Sequence, residues 1–111
     1  MIKTCETFYA NIWIAGDYDA AVQACREFCM ETPLCVTVTK TEYVYVAGSQ
    51  SGVCVRLINY PRFPKSNVEI TMTAEILAAV LRMKLYQASY SIEYPTYTKY
   101  FETELKTSND K

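Results

Sequence analysis

Apolar and polar residues alternate near the amino end. Phe8, Ala10, Ile12 and Ile14 fall on one side of an extended chain and Tyr9, Asn11 and Trp13 on the other, which predicts a strand over 8–14. Gly16 ends it, and Asp17 is placed to cap a helix. From there Tyr18, Ala21, Val22, Cys25, Phe28 and Cys29 form one apolar stripe, with Asp19, Gln23, Arg26 and Glu27 opposite, and Pro33 closes the element. "CVTVTKTEYVYVAG" follows as strand, rich in β-branched and aromatic residues. Its alternation has a flaw: Lys40 and Glu42 share the parity of Val36, Val38, Val44 and Val46, so a bulge, kink or short turn is expected near Lys40. "GSQSG", residues 48–52, reads as a hairpin loop and "VCVRLINY" as the third strand, which Pro61 and Pro64 terminate.

A capping box of Ser66 with Glu69 opens a second helix that runs to about Gln87. "SYSIEY" is then the last strand, and the residues beyond Pro95 either resume it or form a loop. The order β-α-β-β-α-β predicts an α+β fold, a ferredoxin-like split sandwich with a four-stranded antiparallel sheet and two helices on one face. One domain over 1–102 accounts for it, with "TELKTSNDK", residues 103–111, as a flexible tail.

The second helix carries two apolar stripes. Ile70, Ala74, Leu77, Leu81, Leu85 and Ala88 would cover the sheet, while Met72, Ile76, Ala79 and Met83 lie nearly opposite, where a helix in a two-layer domain meets water. Either the tail or the "YPRFP" loop folds over this outer stripe, or the stripe is an interface, for which methionine offers an adaptable surface. The aromatic residues point the same way. Tyr9, Asn11, Trp13, Tyr43 and Tyr45 alternate toward the open face of the sheet, and Tyr90, Ile92 and Tyr94 share one face of the last strand. Tyrosine and tryptophan are enriched at interface cores, although strand propensity alone accounts for any single one. The four outer-stripe residues and these six aromatics are the candidate interface, and self-association as a homodimer is the first partnership expected.

Charge and composition narrow the chemistry. The 111 residues carry a formal net charge of −1, which gives no electrostatic footprint for nucleic acid or an anionic membrane. Neither a signal peptide nor a run of about 18 apolar residues is present, so a cytoplasmic protein with no membrane association is expected. Five cysteines, at 5, 25, 29, 35 and 54, then read as reduced thiols. Their spacing is not that of a zinc knuckle, and two of them sit on the core stripe of the first helix. The chain has no histidine, which removes the commonest general base and metal ligand. "GSQSG" lacks the Lys-Ser/Thr end of a phosphate loop. No catalytic residue, metal or cofactor is assigned, and the expectation is a protein that is not an enzyme.

"IWIAG" loosely resembles the short motif of RNA-recognition domains, with Trp13 at the stacking position, but "VCVRLINY" lacks the paired central aromatics of the second motif. "IWIAGDYDAAVQACREFCMETPLCVTVT" and "GVCVRLINYPRFP" together resemble short bacteriophage and prophage proteins, a population that includes anti-CRISPR and other counter-defence inhibitors. That resemblance implies a small non-enzymatic protein-binding module acting on a surface of a host complex. The alternative is a small-ligand or nucleotide binder with a pocket between subunits, its aromatics stacking the ligand. A single-stranded nucleic-acid binder is the third reading.

Overall fold

A computed structural model describes residues 1–103; the expected tail, but for Thr103, lies outside the described residues. Seven elements follow in order: β1 (Tyr9–Ala15), α1 (Tyr18–Glu31), β2 (Thr37–Tyr45), β3 (Gly48–Ile58), α2 (Asn67–Lys84), β4 (Ser89–Glu93) and β5 (Thr98–Glu102). The strands form one antiparallel sheet in the order β2-β3-β1-β4-β5, and both helices lie on the same face. The fold is therefore α+β with two helices and five strands, which corrects the expectation of four. The fifth arises because the chain turns at Pro95: the Tyr94 amide donates to the Tyr97 carbonyl at 2.8 Å, and β5 returns alongside β4.

The core forms where the alternating apolar residues meet the helices. Ala10, Ile12 and Ile14 of β1, Val53, Val55 and Leu57 of β3, and Ile92 of β4 pack beneath Ala21, Ala24 and Cys25 of α1 and Ile70, Ala74, Leu77 and Leu81 of α2. The caps hold as expected. Asp17 accepts from the Ala20 amide at 2.9 Å, and Ser66 and Glu69 exchange a reciprocal pair of hydrogen bonds. The second helix stops at Lys84, three residues before the expected Gln87, because Tyr86 takes a φ of 56°.

Two expectations about the β2–β3 hairpin are corrected. Its turn is Val46–Ala47, with Ala47 at a φ of 68°, and "GSQSG" lies inside β3. Gly52 is glycine for lack of room: a Cβ there would stand 2.3 Å from Tyr43 Cε2 and 2.6 Å from the Ile14 carbonyl oxygen. Nor is there a bulge at Lys40, since pairing runs unbroken from Thr37↔Arg56 to Tyr45↔Gly48. Lys40 and Glu42 are tolerated on the helix-side parity because both are exposed, with the Lys40 ammonium 5.5 Å from the centre of the Tyr18 ring. Beyond them Val44 and Val46 stand in solvent.

The outer stripe of α2 is exposed. Met72, Ile76 and Met83 are 59%, 56% and 66% accessible, Ala79 is exposed beside them, and no described residue covers them, the "YPRFP" loop included. Among the described residues no helix is long and apolar enough to cross a membrane.

Candidate functional site

The face of the sheet away from the helices is where unlike chemistries converge. Strand register lines them up in two rows. Thr37, Arg56, Asn11, Glu93 and Thr98 form one row across all five strands, and Thr39, Cys54, Trp13, Ser91 and Tyr100 form the next. Because side chains alternate along a strand, every one of these residues lies on the open face once Ile12, Val55 and Ile92 point into the core.

Glu93 is the hub. Its Oε1 accepts from Trp13 Nε1 at 3.0 Å and from Asn11 Nδ2 at 3.3 Å, which fixes the carboxylate against the indole edge. Across β1, the Arg56 guanidinium lies 5.5 Å from the centre of the Tyr9 ring. Asn11 sits between the two charges, and its Oδ1 is buried without a hydrogen-bond partner. Cys54 lies beside Trp13; burial, and then the Glu93 charge, push its thiol up, with Arg56 opposing. Deprotonation, which a nucleophilic thiol needs, is disfavoured there. A carboxylate, a guanidinium and two aromatic rings on one surface suit a ligand that carries both a cation and an anion.

Concavities among the described residues lie outside this face. One of about 340 Å³ is lined by Cys25, Cys29 and Cys35 with Leu34, Val36 and Val38. Burial, and then the neighbouring Cys29, push the Cys25 thiol up to about 12, and burial followed by Cys35 raises Cys29, so these two sulfurs stay protonated. All five cysteines are free, and among the described residues no cluster of three ligating groups could hold a metal ion. A groove of about 350 Å³ runs between the end of α1 and the start of α2, with Met72 and Ile76 on one wall. A polar one of about 210 Å³ sits by Asp17 and Lys40, and one of about 270 Å³ is walled by Phe8, Tyr94 and Tyr97.

The predicted interface residues divide three ways. Tyr9 and Trp13 reach the open face as expected, with Tyr43 on the same face but tied down, its hydroxyl donating to the Val53 carbonyl at 2.8 Å. Tyr45 stands exposed at the hairpin end. Tyr90 and Tyr94 are in the core, which corrects their placement on an interface face. They share the parity of Ile92, which pairs with the inward-facing Ile12. Tyr90 stacks on Phe101 at 5.1 Å, and the Tyr94 hydroxyl donates to Glu75 at 2.7 Å, where Lys99 also binds at 3.0 Å. Burial, then that hydrogen bond to Glu75, raise the Tyr94 phenol.

No protein-family model and no curated protein matches the chain. Two solved structures do. A phage SAM lyase in the apo state superposes with a TM-score of 0.65 at 16% identity, over 90% of this chain and 92% of that one. A phage SAM lyase in complex with S-methyl-5'-thioadenosine superposes with a TM-score of 0.74 at 13% identity, over 96% of this chain and 98% of that one.

The chain shares the fold of the phage SAM lyases. Both neighbours are phage proteins, in line with the bacteriophage resemblance, but both are enzymes. The expectations of a non-enzymatic inhibitor and of a protein that is not an enzyme are accordingly corrected: the architecture that suggested a passive binding module is one on which a SAM lyase is built. Sequence reasoning placed Asn11 on the open side without a role, and passed over Cys54, Arg56 and Glu93. Their signal was parity, since each alternates with a core residue on a strand already recognised, as Arg56 does between Val55 and Leu57.

Proposed function

We propose that this chain is an enzyme that binds S-adenosylmethionine on the open face of its sheet and cleaves it as a lyase. The observation that carries the reading is the likeness to a phage SAM lyase holding S-methyl-5'-thioadenosine, which spans nearly the whole of both chains. S-methyl-5'-thioadenosine is what remains of S-adenosylmethionine when the bond from sulfur to the four-carbon amino-acid chain breaks. The open face fits such a ligand. A sulfonium cation is attracted by a carboxylate and by aromatic faces, and Glu93 beside Trp13 supplies both.

The missing histidine is no obstacle to this chemistry. When the carbon–sulfur bond breaks, its electron pair stays on sulfur and the positive sulfonium leaves as a neutral thioether, so no proton donor is needed. The vacated carbon is within reach of the fragment's own carboxylate, which closes a ring without any proton transfer. What the protein supplies is orientation and a surface matched to the charges.

The four strands β2-β3-β1-β4 with their helices read as a ferredoxin-like split sandwich that β5 extends at one edge. Among the described residues nothing forms a second wall over the open face, so a second copy supplies it and the ligand lies between subunits. A cytoplasmic, phage-encoded protein accords with a substrate made and used inside the host cell.

The test is to incubate purified protein with S-adenosylmethionine and follow both compounds by mass spectrometry. Loss of S-adenosylmethionine matched by equimolar S-methyl-5'-thioadenosine supports the reading. Intact S-adenosylmethionine after hours at millimolar concentration, together with no detectable binding, overturns it.

A further inference from the structure

The row Arg56–Asn11–Glu93 places one fixed positive and one fixed negative charge on the same face, separated by a single strand. Strands lie about 4.8 Å apart, so the Arg56 and Glu93 backbones stand about 10 Å from each other, and both side chains are long enough to converge on a ligand between them. No salt bridge joins them: Glu93 is held by Trp13 and Asn11, and Arg56 lies over Tyr9. Two opposite charges that share a face and leave each other unpaired are complementary to a ligand with the same two charges in reverse order. Asn11 adds a second sign of incompleteness, since Oδ1 is a buried acceptor with no donor.

We propose that this row reads the charged end of the ligand: Arg56 takes the α-carboxylate of the amino-acid chain, and Glu93, backed by the Trp13 ring, takes the sulfonium. The inference rests on the S-adenosylmethionine reading and assigns two of its three charges to two residues, the α-ammonium being the third. The sulfonium and the carboxylate of S-adenosylmethionine are joined by a three-carbon bridge, so one ligand spans from the β4 side of Asn11 to the β3 side. A guanidinium matches a carboxylate in two parallel hydrogen bonds, which suits Arg56 to that end. A sulfonium has no N–H or O–H to donate, so its recognition falls to charge and to aromatic faces, as the Glu93–Trp13 pair offers. The arrangement makes the product a poor competitor: S-methyl-5'-thioadenosine has neither the carboxylate nor the positive sulfur, and it leaves both residues empty.

Three ligands separate the two roles. Sinefungin, an uncleavable analogue with an ammonium centre in place of the sulfonium, carries both charges that the row reads. S-adenosylhomocysteine carries the carboxylate with a neutral sulfur, and S-methyl-5'-thioadenosine carries neither. Affinities by calorimetry for the wild type, Arg56→Gln and Glu93→Gln give the pattern. Arg56→Gln weakens sinefungin and S-adenosylhomocysteine about tenfold or more and leaves S-methyl-5'-thioadenosine unchanged. Glu93→Gln keeps an acceptor for Trp13 and Asn11, weakens sinefungin by a similar factor, and leaves the two neutral-sulfur ligands unchanged. Unchanged S-methyl-5'-thioadenosine binding also shows that each variant is folded. Equal weakening of sinefungin and S-adenosylhomocysteine by Glu93→Gln overturns the sulfonium assignment, and uniform affinities in both variants overturn the row altogether. A wild type that binds none of the three at millimolar concentration overturns the S-adenosylmethionine reading itself, and this inference with it.

Discussion

Gly52→Ala is the substitution whose cost the structure fixes most tightly. A Cβ built on Gly52 meets Tyr43 Cε2 at 2.3 Å, the Ile14 carbonyl oxygen at 2.6 Å and Ala15 Cα at 3.0 Å. The first belongs to the Tyr43 ring, which can shift only by giving up the hydrogen bond of its hydroxyl to the Val53 carbonyl. The other two are backbone of β1, paired to β3 through Ala15↔Gly52 and Ile14↔Val53, and cannot move without opening the ladder. Overpacking of this kind costs about 1–3 kcal/mol, and stretched β1–β3 hydrogen bonds place the value toward the upper end. For a domain of this size that is a fall in Tm of roughly 5–15 °C. Urea unfolding followed by circular dichroism reads it directly, and the slope should stay constant if only the native state suffers. The double variant Gly52→Ala with Tyr43→Ser separates ring from backbone. Removing the ring frees the 2.3 Å contact but leaves the carbonyl, so the double variant stays at least as unstable as Gly52→Ala alone. A Gly52→Ala protein within about 0.5 kcal/mol of wild type, or full rescue by Tyr43→Ser, would refute the reasoning.

Three further outcomes are expected. Asp17→Ala removes the acceptor of the Ala20 amide and costs about 1 kcal/mol in urea unfolding, while Asp17→Asn costs little. Tyr94→Phe takes the hydroxyl from Glu75 but leaves Lys99 bound there, for a loss of about 1–2 kcal/mol by the same measurement. Cys25 titrates near 9.0 when unfolded and about 12 when folded, so its contribution is complete below pH 9 and disappears as the pH rises toward 12; Cys25→Ala should flatten that part of the Tm–pH curve, and an unchanged slope counts against the burial argument.

The helices and the central strands were legible in the sequence because local signals and burial agreed. Asp17 and the Ser66–Glu69 box begin helices where they should, and the parity of Ala10, Ile12 and Ile14 names the core face of β1. The hairpin was misread because "GSQSG" carries turn chemistry for a different reason, the approach of the Tyr43 ring and of β1 to Gly52. Lys40 suggested a bulge because parity assumes that helices bury the whole face, whereas Lys40 stands exposed at its margin beside Tyr18 of α1. Tyr90 and Tyr94 read as interface residues because tyrosine is enriched at interface cores, whereas Glu75 satisfies the Tyr94 hydroxyl inside the fold. Of the candidate site, the aromatic half was visible in the sequence as Tyr9 and Trp13. The charged half was not: Arg56 and Glu93 lie far from Asn11 in the chain, Glu93 by 82 residues, and only strand register sets them on either side of it.

Trp13 is the only tryptophan of the chain, so its indole N–H gives a single resonance on the candidate face. Proton–nitrogen correlation spectra recorded over time after S-adenosylmethionine is added to ¹⁵N-labelled protein follow that signal, while interleaved proton spectra follow the ligand methyl group. The account predicts an immediate shift of the Trp13 indole resonance, followed by conversion of the sulfonium methyl signal to a thioether methyl signal. An unmoved indole resonance with the sulfonium methyl signal intact after hours would contradict it.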